Sequence, residues 1–370
     1  MLQHYRLSFY EKLSKSDPSM HWTIYHGIPD NEQGRPAYKG ETKFQNEGFR
    51  EIKKKIGPFS LVYVKGLNSM IRRSDPDVII LPGITGNISY RMIISWARRK
   101  NKKVILWTCG WEPGLAKGFL LSFKNHYVSK VFRKADFHLT YSTKSSTYTE
   151  SMGVPSENIQ TCYNGIEIDS LVEKESEIIK SSELIREEYD LLGNVTFLYV
   201  GGLIPEKRID LLLDGFSGLR KKHPNIRLLI IGDGPGKEEL LAMMEKLKDK
   251  NIRYLGRITD GVDKYIAASD CLVLPGIGGL ALNQAMFWGK PCIVSEADGT
   301  EDDLVIDGKT GFRFEKGSVI SLHEAMEKMI LLDPVTHGRM SKAAKKIILE
   351  KSNTNHMVDI FIETIRRLLN

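Results

Sequence analysis

The sequence predicts an α/β protein built from two doubly wound units, and three observations carry that expectation. At 370 residues the chain exceeds the roughly 100 to 200 residues of one ordinary domain, so two is the natural count. Hydrophobic residues make up 41% of it and charged residues 27%, which supplies two cores and stands far from the composition of disordered chains. Short runs rich in Val, Ile and Leu alternate with amphipathic helical stretches, the pattern of a parallel sheet covered by helices on both faces.

The strand candidates of the first half are LVYV (61 to 64), VIIL (78 to 81), KVILW (103 to 107) and FHLTYS (137 to 142). Those of the second half are VTFLYVG (195 to 201), IRLLIIG (226 to 232), IRYLG (252 to 256), CLVLP (271 to 275) and PCIVS (291 to 295). Residues 166 to 192 are charged and short of strand signals, which places a hinge there, between units spanning 1–168 and 190–353. Val358, Phe361, Ile362, Ile365 and Leu369 recur at helical spacing, so residues 354–370 read as an amphipathic helix, expected to pack back on the first unit. A Rossmann-like domain opens with a buried strand, and Met1-Leu2 leaves no room for one. The first strand therefore reads as truncated, through a late start or a differently built sheet edge.

Cys109, Cys162, Cys271 and Cys292 show neither a CxxC pair nor a Cys/His cluster, which argues against a zinc site or a disulfide framework and fits a reducing compartment. No segment has the apolar core of a signal peptide or the roughly 18 apolar residues of a membrane span. A cytoplasmic location is the expectation. The net charge of +7 is uneven: residues 1 to 170 hold 25 Lys+Arg against 15 Asp+Glu, and the remainder 28 against 31. Lys53-Lys54-Lys55, Arg72-Arg73 and the run from Arg98 to Lys103 supply much of the excess. Such clusters favour anionic partners, or else are solvated helix ends and loops. Nucleic acid is not expected, because no binding-motif spacing occurs and the aromatics are not interleaved with the basic runs.

Three strand-to-loop-to-helix passages carry the chemistry. VTFLYVG runs into GGLIPEKRIDLLLDGF (201 to 216), a glycine turn followed by Lys207 and Arg208. Such a loop offers backbone N–H groups and a cation to an anion, though an ordinary βα-loop reads the same way. IRLLIIGDGPGKEEL places Gly232, Gly234 and Gly236 between strand and helix. In CLVLPGIGGLALNQAMFWGKPCIVS, Gly276, Gly278 and Gly279 precede a helix starting near Leu280. Absent side chains let a diphosphate approach the backbone, and a helix N-terminus adds roughly half a positive charge. Tight helix-strand packing would use the same glycines.

Taken together, GGLIPEK, IIGDGPG, ASDCLVLP (268 to 275) and GTEDDLVIDGKTGFRF (299 to 314) resemble the C-terminal domain of retaining glycosyltransferases of family 4. The likeness covers about residues 195 to 350, and MGVPSENIQTCYNGIE (152 to 167) resembles the end of that family's N-terminal domain. The resemblance implies the GT-B architecture: an acceptor-binding N-terminal domain, a nucleotide-sugar-binding C-terminal domain and a cleft between them. It assigns Lys207 to the donor diphosphate, Gly278, Gly279 and Leu280 to backbone contacts with it, Gly234 to the glycine turn, and Gly256 with Arg257 to the nucleobase edge.

Departures stand beside the match. Gly202 occupies the place of the family's arginine, and Arg208 that of a common glycine, from which it could substitute as a phosphate cation. The family's two glutamates fall on Gly276 and Gln284; an amide can still bond ribose hydroxyls. Where many members have an N-domain histidine this chain has Cys109, within WTCGWEP (107 to 113), and Trp111 and Glu112 are candidates for acceptor contact. In LPGITGNISYRM (81 to 92), Gly83 marks a ligand-facing or plain turn.

No DxD stands at a strand end, so no metal and no further cofactor is expected. The reading is a retaining sugar transferase that takes a nucleoside-diphosphate donor and a saccharide or lipid-linked acceptor. Its expected setting is bacterial surface polysaccharide or glycolipid assembly, docked peripherally on the anionic inner face of the membrane. A non-catalytic family member binding a nucleotide sugar or a partner transferase is the alternative, motivated by Gly202 and Gly276.

Overall fold

Alternating strands and helices follow the apolar runs, and the computed structural model describes them over residues 2–28, 38, 40–56, 59–109, 119–296 and 299–370. The chain divides into two units, Met1–Asn164 with Thr354–Asn370, and Gly165–Asn353.

The first unit runs α1 (Leu7–Ser16), β1 (Ile24–Ile28), β2 (Asn46–Ile56), β3 (Phe59–Val64), α2 (Leu67–Ser74), β4 (Val78–Pro82), α3 (Ile88–Arg99), β5 (Lys103–Thr108), α4 (Phe119–Phe132), β6 (Phe137–Thr140), α5 (Thr143–Ser151) and β7 (Ile159–Thr161). Strands β4-β5-β6-β7 form a parallel sheet. Alternation along β5 splits its side chains between two cores: Val104 and Leu106 meet Ile93, Ile94 and Phe132, while Ile105 meets Phe9, Leu13 and Phe361.

The N-terminal edge departs from the sequence reading. Residues 7–16 are helical, so the chain does not open on the remnant of a strand. LVYV belongs to β3, which lies in a separate sheet of order β1-β2-β3 and pairs antiparallel with β2. The sequence NEGFREIKKKI of β2 is too polar to read as a buried strand; Ile52 and Tyr63, opposed across β2 and β3, are both exposed, so one face of this sheet is wet.

The C-terminal helix Thr354–Leu369 belongs to this first unit and packs on α1. Phe361, 2% exposed, sits edge-on to Phe9 at 5.1 Å and to Trp107 at 5.0 Å between ring centroids. Arg366 donates to Asp17 at 2.6 Å. Ser19 and Arg366 together hold the Asp17 carboxyl down to about 2.

The second unit runs α6 (Asp169–Glu173), α7 (Glu175–Glu188), β8 (Val195–Val200), α8 (Ile209–Arg220), β9 (Ile226–Ile231), α9 (Lys237–Leu247), β10 (Ile252–Tyr254), α10 (Val262–Ala268), β11 (Cys271–Leu274), α11 (Leu280–Phe287), β12 (Cys292–Ser295), α12 (Thr300–Leu304), β13 (Gly311–Phe314), α13 (Val319–Ile330) and α14 (Pro334–Lys351). Its six strands are all parallel, in the order β10-β9-β8-β11-β12-β13. Counted from β8, that is 3-2-1-4-5-6, the dinucleotide-binding order, whose direction of winding reverses between β8 and β11.

Residues 166 to 192, expected as a hinge, instead form α6 and α7 inside the second unit. Ile185 and Leu191 are buried in its core, and Arg186 bonds Asp270 at 2.8 Å and the Ala268 carbonyl at 2.8 Å. The charged residues that suggested a hinge are the solvent face of an amphipathic helix. The divisions fall at Asn164/Gly165 and Asn353/Thr354.

Phe361→Ala removes an aromatic ring buried between two others and is expected to destabilise the first unit by about 3 to 5 kcal/mol. Ile320→Ala, at a side chain 75% exposed, should change stability by less than about 0.5 kcal/mol. Denaturant unfolding monitored by tryptophan fluorescence checks both.

Candidate functional site

Ligands of open α/β sheets bind beyond the carboxyl ends of the strands where the winding reverses, which here means the loops after β8 and β11. Those loops are joined. The backbone N–H of Ile277 donates to the Glu206 carbonyl at 3.0 Å. Lys207, closing a 3-10 turn over Pro205–Lys207, extends its ammonium to the Ile277 carbonyl at 2.6 Å and also to that of Gly278. Gly276 permits this approach: a Cβ there would stand 2.1 Å from the Glu206 carbonyl oxygen and 2.9 Å from the Lys207 Cα. The missing glutamate of the sequence comparison therefore reflects a loop closed tightly against its neighbour.

The ammonium lies beside the N-terminus of α11, 3.7 Å from the position a Cβ on Gly279 would take. The first N–H groups of any helix lack intrahelical partners and carry partial positive charge. Gly278, Gly279 and Leu280 thus share a corner with Lys207, an arrangement suited to an anion.

A carboxylate absent from the sequence reading joins them. Glu301, on α12 and 1% exposed, places Oε1 1.9 Å from the point where a Gly278 Cβ would stand. It and Lys207 thus converge on one glycine from two different elements. Nothing in the local sequence singles out Glu301 from the acidic run Glu301-Asp302-Asp303; only the folded position of α12 does. Asp302 is engaged elsewhere, by Arg313.

Gln284, on the second turn of α11, donates its amide to Asp263 at 2.8 Å, and the same carboxylate oxygen accepts from the Trp288 indole at 2.7 Å. Asp263 thereby fixes the amide nitrogen and leaves the amide oxygen as the acceptor a hydroxyl could meet. Asp263 was another residue the sequence did not mark.

The remaining donor-side candidates fall into different places. Arg208 adopts a left-handed conformation (φ 52°) at a position where glycine is common, and its guanidinium is engaged by Asp210 at 2.8 and 3.0 Å. Its charge is therefore shared with a carboxylate two residues away. At Gly202 the space is open, since a Cβ there would meet only the Asp233 carbonyl oxygen at 3.9 Å. Gly234 packs against the backbone of Leu203, 2.6 Å from its carbonyl oxygen to a Cβ, which makes it a loop-packing glycine. The carbonyl of Gly256 accepts from Gly232 at 2.9 Å, and Arg257 beside it is exposed.

In the first unit, Gly83 directly follows β4, where a Cβ would meet the Thr108 side chain at 2.3 Å, so close packing against the end of β5 accounts for it. Cys109 is exposed just after β5, and its carbonyl accepts from the Ser145 hydroxyl. Trp111 and Glu112 lie outside the described residues. Among the described residues, no three His, Cys, Asp or Glu side chains cluster in a way that could hold a metal ion, and no helix is long and apolar enough to cross a membrane.

Known proteins resemble this chain in sequence and in fold. Residues 181–347 match the family described as glycosyl transferases group 1. N-acetyl-alpha-D-glucosaminyl L-malate synthase of Bacillus anthracis is 25% identical over 245 residues, 65% of this chain and 62% of that protein. Alpha-monoglucosyldiacylglycerol synthase of Acholeplasma laidlawii is 32% identical over 174 residues, 45% of this chain and 43% of that protein. The matches thus span less than two thirds of these relatives' lengths. Among solved structures, Anabaena Alr3699/HepE in complex with UDP superposes with a TM-score of 0.69 at 17% identity, over 88% of this chain and 86% of that one. Residues 181–347 thus carry a match to the glycosyl transferases group 1 family, and the chain has the GT-B fold.

Proposed function

We propose that this protein transfers a sugar from a nucleoside-diphosphate donor to an acceptor hydroxyl with retention of anomeric configuration. The observation that carries the proposal is the Lys207 ammonium held at the N-terminus of α11, at the point where the sheet reverses. A glycosyl diphosphate breaks its anomeric C–O bond by releasing an anion, so a cation and helix N–H groups placed there stabilise charge as it develops. On binding, the donor phosphates would draw Lys207 away from the loop carbonyls. Without an assigned nucleophile, a front-face path fits best: the acceptor oxygen bonds to the anomeric carbon as the phosphate departs and takes the acceptor proton. Gln284, held by Asp263, would accept from a ribose hydroxyl, and Glu301 would accept from hydroxyls of the transferred sugar.

Support for the donor class comes from the group 1 domain and from HepE, whose structure contains UDP. The Acholeplasma relative, named for a glycosylated diacylglycerol, supports a lipid-linked acceptor in surface polysaccharide or glycolipid assembly. The basic residues of the first unit suit peripheral docking on an anionic membrane face. The second reading, nucleotide-sugar binding without chemistry, is favoured by the crowding at Gly276 and the engagement of Arg208 by Asp210.

Incubation with a panel of nucleotide sugars and lipid-linked acceptors should give donor-dependent nucleoside diphosphate release, unchanged by EDTA. Tight donor binding with no release for any pair would favour the second reading, and EDTA-sensitive release restored by a divalent ion would overturn metal independence. Lys207→Ala should cost about 2 to 3 kcal/mol in kcat/KM, roughly 30- to 150-fold. The two missing side chains should behave oppositely when restored. Gly202→Arg fits open space and should tighten donor binding roughly tenfold without loss of stability. Gly276→Glu meets backbone and should cost about 1 to 3 kcal/mol of stability. Calorimetric titration and thermal melting of both variants check the pair.

A further inference from the structure

Helices α2, α3 and α4 of the first unit bound an open cleft of about 500 Å³. Five cations line it: Arg72 from α2, Arg91 and Arg99 from α3, Lys130 from α4, and Lys134 just beyond. Among the described residues no acidic side chain lines the cleft, and none of the five cations is paired with a carboxylate. Lys102 nearby in sequence is different, since Asp75 and Asp77 hold it at 3.3 and 3.4 Å. The run from Arg98 to Lys103 is therefore not one uniform patch.

Like charges gathered in one concavity repel each other and focus a positive field into it. Two of them are also held in place. The Arg91 guanidinium lies 4.8 Å from the centre of the Tyr127 ring, whose hydroxyl donates to the Thr85 carbonyl at 3.3 Å. Arg99 is tied back to the Ser95 carbonyl at 3.2 Å. Between the cations the wall is apolar: Ile88, Met92 and Val131 contribute, and Met92 is 41% exposed. A free inorganic anion would need only the charges. A ligand that uses both surfaces carries a phosphate joined to an aliphatic part.

We propose that this cleft binds the headgroup of an anionic phospholipid, its phosphate among Arg91, Lys130 and the neighbouring cations and its first acyl carbons along Met92 and Ile88. The inference rests on the membrane-docking part of the function proposed above and makes it specific: one shaped site for one lipid, rather than diffuse attraction by scattered lysines. The lysines of β2, which the sequence also singled out, lie on a different element and would add only the diffuse part.

The test is calorimetric titration of the full chain with dihexanoylphosphatidate below its micelle concentration, with no nucleotide sugar present. Saturable binding is expected, at least about tenfold tighter than for inorganic phosphate or dihexanoylphosphatidylcholine. The double variant Arg91→Gln, Lys130→Gln should lose at least about tenfold in affinity, as should Arg72→Gln with Lys134→Gln. Lys53→Gln with Lys54→Gln and Lys55→Gln should bind as the unaltered chain does. Thermal melting identifies any variant that fails to fold, and the other pair then decides. Absence of binding, equal binding of inorganic phosphate, or unaltered affinity in a folded cleft variant overturns the proposal. Donor-dependent release is measured separately, so loss of either result leaves the other standing.

Discussion

Both oxygens of one carboxylate organise the second unit. Asp270 accepts from the Arg186 guanidinium through Oδ1 and from the Thr196 backbone N–H through Oδ2, each at 2.8 Å. The first bond secures α7; the second locks the start of β11 beside β8. Because those two strands are neighbours, their following loops meet, and because the loops meet, Lys207 can reach the carbonyls of the glycine turn. Removing one partner of such a half-buried, hydrogen-bonded charge leaves the other uncompensated, so the arrangement is kept as a set. The lysine and the helix N-terminus are thus consequences of strand order, and Asp270 fastens the junction of β8 with β11 in that order.

Much of the architecture was legible because buried parallel strands advertise themselves: LLII, FLYV and CLVL are apolar on both faces and can be little else. The same criterion missed β2, whose Lys and Glu residues belong to a sheet with a wet face, and it misjudged α7, whose charges lie outward while Ile185 lies inward. Amphipathic helices of mixed charge and flexible connectors share a composition, and only the contact with Asp270 distinguishes them here. At the site, Lys207 and the glycines were readable since their spacing along the chain is what builds the loops. Glu301 and Asp263 were not, since their meaning comes from proximity to Gly278 and Gln284, residues 23 and 21 positions away. Long-range juxtaposition leaves no local trace in sequence.

The glycines teach the same lesson in reverse. An absent side chain at 276 and an absent side chain at 202 look alike on the page, both suggesting lost function. In the fold one is enforced by a neighbouring backbone and the other is unconstrained. Arg208 is a third case: it takes a backbone conformation that disfavours side chains, and Asp210 at its guanidinium supplies a compensating pair.

The first unit is discontinuous, and that has a consequence for how the protein is made. Residues 165 to 353 are contiguous and can close their own core as soon as they leave the ribosome. The sheet built from the first 164 residues cannot, because the face bearing Ile105 and Trp107, with Phe9 against it, waits for Phe361 and its helix, which are synthesised almost two hundred residues later. For that interval an aromatic surface stands open on a nascent chain. Its protection would fall to a chaperone, and the chain's yield in a cell should depend on how quickly the second half is translated and folded.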